Sequence, residues 1–165
     1  MKTIKQTLVI LTIILFAISC NKNDDEPQQI SASEPTLKDV YSAGLELNAS
    51  GKYAAKYWKN NVVTNLTDGT QNATAYSVVV IGTDVYVAGY EENGTKKVAK
   101  YWKNGVSISL SDGTQDATAK AITVVGNEVY VAGFEKNALG VQVAKYWKNG
   151  ISNDLTDGTQ NASTN

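Results

Sequence analysis

The residues best suited to contact a ligand recur three times along this chain of 165 residues. Each tryptophan lies in a segment Lys-Tyr-Trp-Lys-Asn, where an aromatic pair stands between two lysines. Indole rings present large apolar faces on which sugar rings can stack, and repeated ammonium groups attract acidic glycans or phosphate groups. The candidate ligand contacts are Trp58, Trp102 and Trp147 with Lys59, Lys103 and Lys148.

The same residues also have a purely structural interpretation. Neighbouring side chains of a strand point to opposite faces, so Tyr57 and Trp58 cannot share a face. An aromatic residue that recurs in every repeat is most simply core between packed sheets, with its N–H or O–H bonded to a partner. Lysines at strand ends keep sheet edges soluble and discourage pairing with other chains. The sequence favours this interpretation for both sets.

Composition excludes several kinds of chemistry. The chain has no histidine, which excludes His-based triads and His-ligated zinc, and its single cysteine excludes intrachain disulfides and multi-Cys metal sites. Fifteen lysines against 16 acidic residues, a formal charge of -1, argue against a nucleic-acid partner. The loop Asp68-Gly69-Thr70-Gln71 recurs twice, but one carboxylate per loop indicates turn chemistry rather than calcium. We predict no metal and no cofactor.

A pair of carboxylates could act as acid and base if the fold brought them together across a channel. No feature of the sequence selects such a pair, so we predict no catalytic residue and a protein that is not an enzyme. The carboxylates in question lie in turns and at strand ends: Asp84, Glu91, Glu92, Glu128 and Glu135.

The first 19 residues are typical of a secretory signal peptide with a helical apolar segment. Two lysines precede the apolar run 8–18, which is too short to span a bilayer comfortably. The run ends at Ala17-Ile18-Ser19-Cys20, which resembles the lipobox of bacterial lipoproteins. That resemblance implies cleavage before Cys20 and a diacylglyceryl group on its thiol, with several acyl chains needed for stable anchoring. An ordinary signal peptide with an incidental cysteine is the alternative.

Residues 20–37 are predicted to form a flexible linker, because charged, Gln- and Ser-rich segments bury too little apolar area to fold. Lys22 followed by the acidic run 24–26 resembles the signal that sends Bacteroidetes lipoproteins to the outer face of the outer membrane. A plain solvated tether is the alternative. We expect a protein held to the cell outer membrane through Cys20, either surface-exposed or on the periplasmic face.

From residue 38 onward the chain is a repeat. The tryptophans are 44 and 45 residues apart, and the Asp-Gly-Thr-Gln loops follow with the same two spacings. Asn104-Gly105 and Asn149-Gly150 separate β-patterned runs and predict hairpins, since both residue types tolerate positive φ. The predicted strands are 40–46 in the first repeat, 76–81, 85–90, 98–103 and 106–110 in the second, and 121–125, 129–134, 143–148 and 151–155 in the third.

Four strands per repeat at this period predict an all-β protein, a partial β-propeller with blades at about 38–74, 75–118 and 119–165, about 11 strands in all. The hairpin 122–133 followed by an aromatic strand resembles a kelch repeat, with one glycine where kelch has a pair. The Tyr-Trp-Lys-Asn-Gly segments resemble tandem propeller repeats of uncharacterised bacterial lipoproteins. This resemblance implies the fold and brings no known activity.

Propellers close with about four to eight blades, so three repeats correspond to about half of one. We therefore expect either a partial reading frame or a homo-oligomer in which copies complete a ring. The expected function is a non-enzymatic binding or scaffold module for a glycan, a peptide or a protein. The alternatives are a fragment of a propeller polysaccharide hydrolase or lyase and a purely structural or adhesive surface protein.

Overall fold

A computed structural model describes residues 38–164, which belong to one compact unit, Leu37–Asn165. The predicted signal peptide, the linker and Cys20 lie outside the described residues. No helix in the described part of the chain is long and apolar enough to cross a membrane.

The described residues form eleven strands in three antiparallel sheets, which confirms the prediction of an all-β protein with about eleven strands. Each sheet is a meander in which consecutive strands pair. The first sheet consists of β1 (Tyr41–Leu47), β2 (Tyr53–Lys59) and β3 (Val62–Asn65); the second of β4 (Ala73–Ile81), β5 (Asp84–Glu92), β6 (Lys97–Lys103) and β7 (Val106–Ser109); the third of β8 (Ala117–Val125), β9 (Glu128–Lys136), β10 (Gln142–Lys148) and β11 (Ile151–Asp154).

The Asn-Gly turns join β6 to β7 and β10 to β11, as predicted. Asn104 and Gly105 have φ of 52° and 83°, and Asn149 and Gly150 have φ of 51° and 85°. Two successive left-handed residues are typical of the tight turns whose twist matches paired strands. The hairpins therefore form where the local sequence predicts them.

The strands β4 and β8 begin earlier than the sequence indicates, at Ala73 and Ala117 instead of residues 76 and 121. The register shifts between Ala75 and Ser77, and again between Ala119 and Ala121. Such a bulge interrupts the alternation of faces, and alanine has low strand propensity, so the early residues look like loop. As a result, β4 and β8 cross the predicted repeat boundaries at 74/75 and 118/119.

The hydrophobic core lies between successive sheets. We call the face that a sheet turns towards the next sheet its front face and the opposite face its rear face. One cluster joins the front of the first sheet to the rear of the second and includes Ala55, Leu66, Val87 and Trp102. A second cluster repeats this contact between the second and third sheets and includes Ala99, Leu110, Val131 and Trp147.

Candidate functional site

The aromatic pairs divide between the two faces of their strands, as the alternation predicts. Tyr57 packs on the cluster that contains Trp102, and Tyr101 packs on the cluster that contains Trp147. The tyrosine of one sheet thus meets the same interface as the tryptophan of the next. The pair Tyr101–Trp102 of the second sheet therefore contributes to two interfaces, one on each side of its sheet.

The three tryptophans differ in accessibility. Trp102 and Trp147 are 0% exposed, so their rings face the interior between sheets, whereas Trp58 is partly exposed. The indole N–H groups of Trp102 and Trp147 have no acceptor within residues 38–164, contrary to the expectation of a partner. A buried donor without an acceptor costs about 1–3 kcal/mol. Truncating a buried Trp to Ala costs about 3–5 kcal/mol, so ring packing is expected to outweigh that cost at both positions.

The lysine after each tryptophan belongs to a small polar cluster that the sequence did not reveal. Its ammonium group lies 2.8 Å from a carboxylate in all three repeats: Lys59–Asp39, Lys103–Asp84 and Lys148–Glu128. The same ammonium groups stand 5.6, 5.2 and 5.4 Å from the ring centroids of Tyr41, Tyr86 and Tyr130. We call these nine residues the Lys–acid–Tyr clusters.

Within each cluster, the lysine and the acid stabilise each other's charged form. The Lys103 ammonium lowers the pKa of Asp84, the Lys59 ammonium lowers that of Asp39, and the Lys148 ammonium does the same for Glu128. In return, hydrogen bonding to these carboxylates raises the pKa of all three lysines. Because the groups are exposed to water, each pair contributes little to folding. They present paired opposite charges to solvent.

The asparagine that ends each motif links its hairpin to the neighbouring strand by hydrogen bonds. The Asn104 side-chain oxygen accepts the backbone N–H of Val85 at 2.8 Å, while its side-chain nitrogen donates to Asp84 at 2.8 Å. Asn60 and Asn149 accept the N–H groups of Val40 and Val129 in the same way. The motif therefore fixes the position of the cluster beside it.

A second lysine in each motif pairs with a glutamate on the rear face of its sheet. Lys100 contacts Glu91 at 2.6 Å and Lys145 contacts Glu135 at 2.7 Å, and both pairs are mostly buried. Burial opposes the charge of Lys145, but bonds to Glu135 and Asp154 raise its pKa overall. Lys56 contacts Glu46 in the same arrangement on the first sheet.

The carboxylates that could have formed an acid–base pair each have a partner within their own repeat or the adjoining loop. Asp84, Glu128, Glu91 and Glu135 bind lysines, and Glu92 accepts the side-chain N–H of Asn72 at 3.0 Å. Residues 38–164 contain no group of three His, Cys, Asp or Glu side chains arranged to hold a metal ion.

The Asp-Gly-Thr-Gln loops are closed by turn chemistry, as predicted. The Asp112 carboxylate accepts the backbone N–H and the hydroxyl of Thr114 at 2.8 and 2.7 Å, and these bonds lower the pKa of Asp112. Asp68 and Asp157 make the same bonds to the threonines two residues further on.

Sequence reasoning named Asp84 and Glu128 but did not connect these acids, or the tyrosines, with the lysines of the Lys–acid–Tyr clusters. A signal was present, because Tyr41, Tyr86 and Tyr130 recur with the tryptophan period and follow an acidic residue by two positions. Residues at i and i+2 of a strand share a face, so this spacing places acid and tyrosine side by side. The lysine comes to this pair only through strand pairing, which places Lys59 opposite Tyr41, Lys103 opposite Tyr86 and Lys148 opposite Tyr130.

Comparison with known proteins adds no assignment. No protein-family model matches this chain, and no curated protein matches it significantly.

Proposed function

We propose that this protein is a lipid-anchored binding or scaffold module, that its body is built of β-propeller blades, and that it is not an enzyme. The observation that carries the proposal is the recurrence of one Lys–acid–Tyr cluster at the same position on three successive sheets. Similar sites in a row suit a ligand that itself repeats or extends, such as a glycan, a peptide or a protein surface. Catalysis needs one site that differs from the others.

The sheet geometry supports the propeller part of the proposal. The second and third sheets are four-stranded meanders, and each sheet packs by its rear face on the sheet before it. Meanders of four strands that stack face to face are the building units of propellers. The resemblance to kelch-like lipoprotein repeats points the same way.

The anchoring part depends on Cys20. Replacing this residue, Cys20→Ala, should abolish incorporation of labelled palmitate and release the protein from the membrane fraction. Palmitate incorporation into the Cys20→Ala protein would contradict lipidation at this residue.

Binding can be tested with the chain from Asn21 onward, which contains the whole compact unit. We expect saturable binding on a glycan array or to a peptide or protein partner. Binding should weaken at least about tenfold when three cluster lysines are replaced, the loss expected for truncating central contacts. The test variant is Lys59→Gln with Lys103→Gln and Lys148→Gln.

A matched control removes three lysines that lie outside the clusters: Lys52→Gln, Lys96→Gln and Lys136→Gln. It should bind like the unmodified protein, although its net charge changes equally. Equal losses for both variants would show that overall charge, not the clusters, attracts the ligand. Cleavage of a polysaccharide would contradict the non-enzymatic proposal, and absence of any ligand would favour a structural or adhesive protein.

A further inference from the structure

The front face of the third sheet is apolar and open within the described residues. Leu66 and Leu110 occupy equivalent positions on the first two sheets and are 8% and 7% exposed, because the next sheet covers them. Leu155 is the third member of this set and is 54% exposed. The same residue type at the same position therefore lacks the cover that its two counterparts have.

A cavity of about 230 Å³ lies on this open face, lined by Tyr130, Ala132 and Tyr146 among others. Their counterparts on the second sheet are Tyr86, Ala88 and Tyr101, which pack in the cluster that contains Trp147. The cavity thus occupies the position at which the preceding front face receives the indole of the following sheet.

The rear face of the first sheet carries the complementary features. Trp58 matches Trp102 and Trp147 in the repeat but belongs to neither core cluster of the described residues and is partly exposed. The pair Lys56–Glu46 also matches the pairs on the other rear faces, yet Glu46 is 60% exposed. This face has the residues of an interface, but no described residue covers it as the other two rear faces are covered.

Gly44 supplies an independent sign of a missing neighbour. A Cβ at Gly89 or Gly133 would lie 2.0 Å from the carbonyl oxygen of Thr74 or Thr118, because an inner strand passes close to both. Gly44 is their counterpart, and the nearest atom to a Cβ there is Cζ3 of Trp58 at 3.1 Å. The backbone contact that requires glycine in the other two sheets is thus not made by any described residue at Gly44.

Residues 162–164 have the sequence position of the inner strand that approaches such a glycine. Ala162 donates its backbone N–H to the carbonyl of Gln142 at 2.9 Å, and the Thr164 hydroxyl donates to Gly133 at 3.0 Å. The matching segment Ala117–Ala119 pairs with Gly133–Glu135 of the third sheet. By the same register, Ser163 would pair with Leu45 on the edge of a first sheet.

We propose that two copies of this chain bind head to tail, the front face of the third sheet of one copy receiving the rear face of the first sheet of the other. Trp58 then fills the cavity beside Tyr130, Ala132 and Tyr146, and residues 162–164 extend the edge of β1. The interface repeats contacts that the chain makes twice within itself. The inference rests on the blade architecture proposed above and requires no ligand.

The number of copies follows from ring closure. Contacts between unlike surfaces form rings when the rotation closes and open fibres when it does not. Two copies of three sheets supply six, within the range of about four to eight at which propellers close, whereas three copies supply nine. For the polypeptide of residues 21–165 we therefore expect a closed dimer.

Sedimentation equilibrium of the chain from Asn21 onward tests this inference between about 1 and 100 µM, a range that covers micromolar affinities. The expected result is a dimer whose dissociation constant rises at least about tenfold in Trp58→Ala and in Ala132→Glu. Leu139→Glu is the matched control, because Leu139 is 87% exposed in the β9–β10 turn. This control should dimerise normally.

An equimolar mixture of the Trp58→Ala and Ala132→Glu proteins keeps one unaltered interface per pair. The mixture should therefore associate more strongly than either variant alone. A monomer at all concentrations, unlimited polymerisation, or unchanged dimerisation of both variants would overturn the inference. Ligand binding by Trp58→Ala is measured separately, so failure to dimerise and failure to bind a ligand remain distinguishable.

Discussion

The second sheet and its two flanking sheets have almost the same sequence pattern but different surroundings. Within residues 38–164, both faces of the second sheet are covered, whereas the first sheet is covered only on its front and the third only on its rear. Trp102 is consequently buried and Trp58 is not, although both occur in Lys-Tyr-Trp-Lys-Asn. The motif determines which way a side chain points, and the neighbouring sheet determines whether it is buried.

The largest contrast is expected between tryptophans. Trp102→Ala should lower the free energy of unfolding by about 3–5 kcal/mol, because a fully buried ring leaves a cavity between sheets. Trp58→Ala should cost clearly less in urea unfolding measured at concentrations where the protein is monomeric. Equal losses would show that the rear face of the first sheet is as well packed as that of the second.

Leucine positions give a contrast on the front faces. Leu110→Ala should cost about 2–5 kcal/mol, since this side chain is buried against the third sheet. Leu155→Ala should change monomer stability little, because more than half of Leu155 is exposed. Thermal unfolding at low protein concentration compares the two variants. At higher concentration, where copies associate, the loss of stability caused by Leu155→Ala should increase.

A smaller difference in stability is expected between alanine substitutions of the equivalent glycines Gly89 and Gly44. Gly89→Ala forces a backbone shift against Thr74 and should cost about 1–3 kcal/mol, the range for overpacked sites. Gly44→Ala meets only the Trp58 ring at 3.1 and 3.6 Å and should be milder in the monomer. Urea unfolding distinguishes the two, and a Gly44→Ala effect as large as that at Gly89 would contradict the open edge of β1.

The lysines and carboxylates of the Lys–acid–Tyr clusters should show no such contrast, because these side chains are exposed to a similar extent on all three sheets. Folding lowers the pKa of Asp39, Asp84 and Glu128, so their contribution to stability is present above about pH 4 and disappears as pH falls through the folded pKa values. Asp39→Asn, Asp84→Asn and Glu128→Gln should each reduce this acid dependence by a small and similar amount. Unfolding curves from pH 7 to 2 would reveal any inequality between sheets.

Much of the fold follows from sequence because its signals are local. Asn104-Gly105 determines a turn through positive φ, and the β-branched and aromatic runs 85–90 and 129–134 indicate the strands β5 and β9. The early start of β4 could not be predicted, because alanine has low strand propensity. Ala73 and Ala75 are buried where the backbone of β4 passes close to Gly89 of β5. The bulge after Ala75 further conceals the register.

The candidate site was only partly predictable for a related reason. Lys103 was identified from the motif. Asp84 and Tyr86 lie 19 and 17 residues before Lys103 in sequence, and they come close to it only because β5 pairs with β6. The differing burial of Trp58 and Trp102 depends on neighbouring sheets, which no local pattern encodes. Repetition reveals which residues are equivalent, and tertiary contacts determine what each of them does.

The most direct test of the two open faces is a designed disulfide between copies. The chain from Asn21 onward contains no cysteine, so Leu45→Cys and Ser163→Cys can react only with one another or with themselves. If a copy extends the first sheet of its partner, mild oxidation of the double variant should give a dimer linked between residues 45 and 163, identified by mass spectrometry. A double variant with Leu139→Cys in place of Leu45→Cys should give no such product, and absence of the 45–163 link would contradict the account.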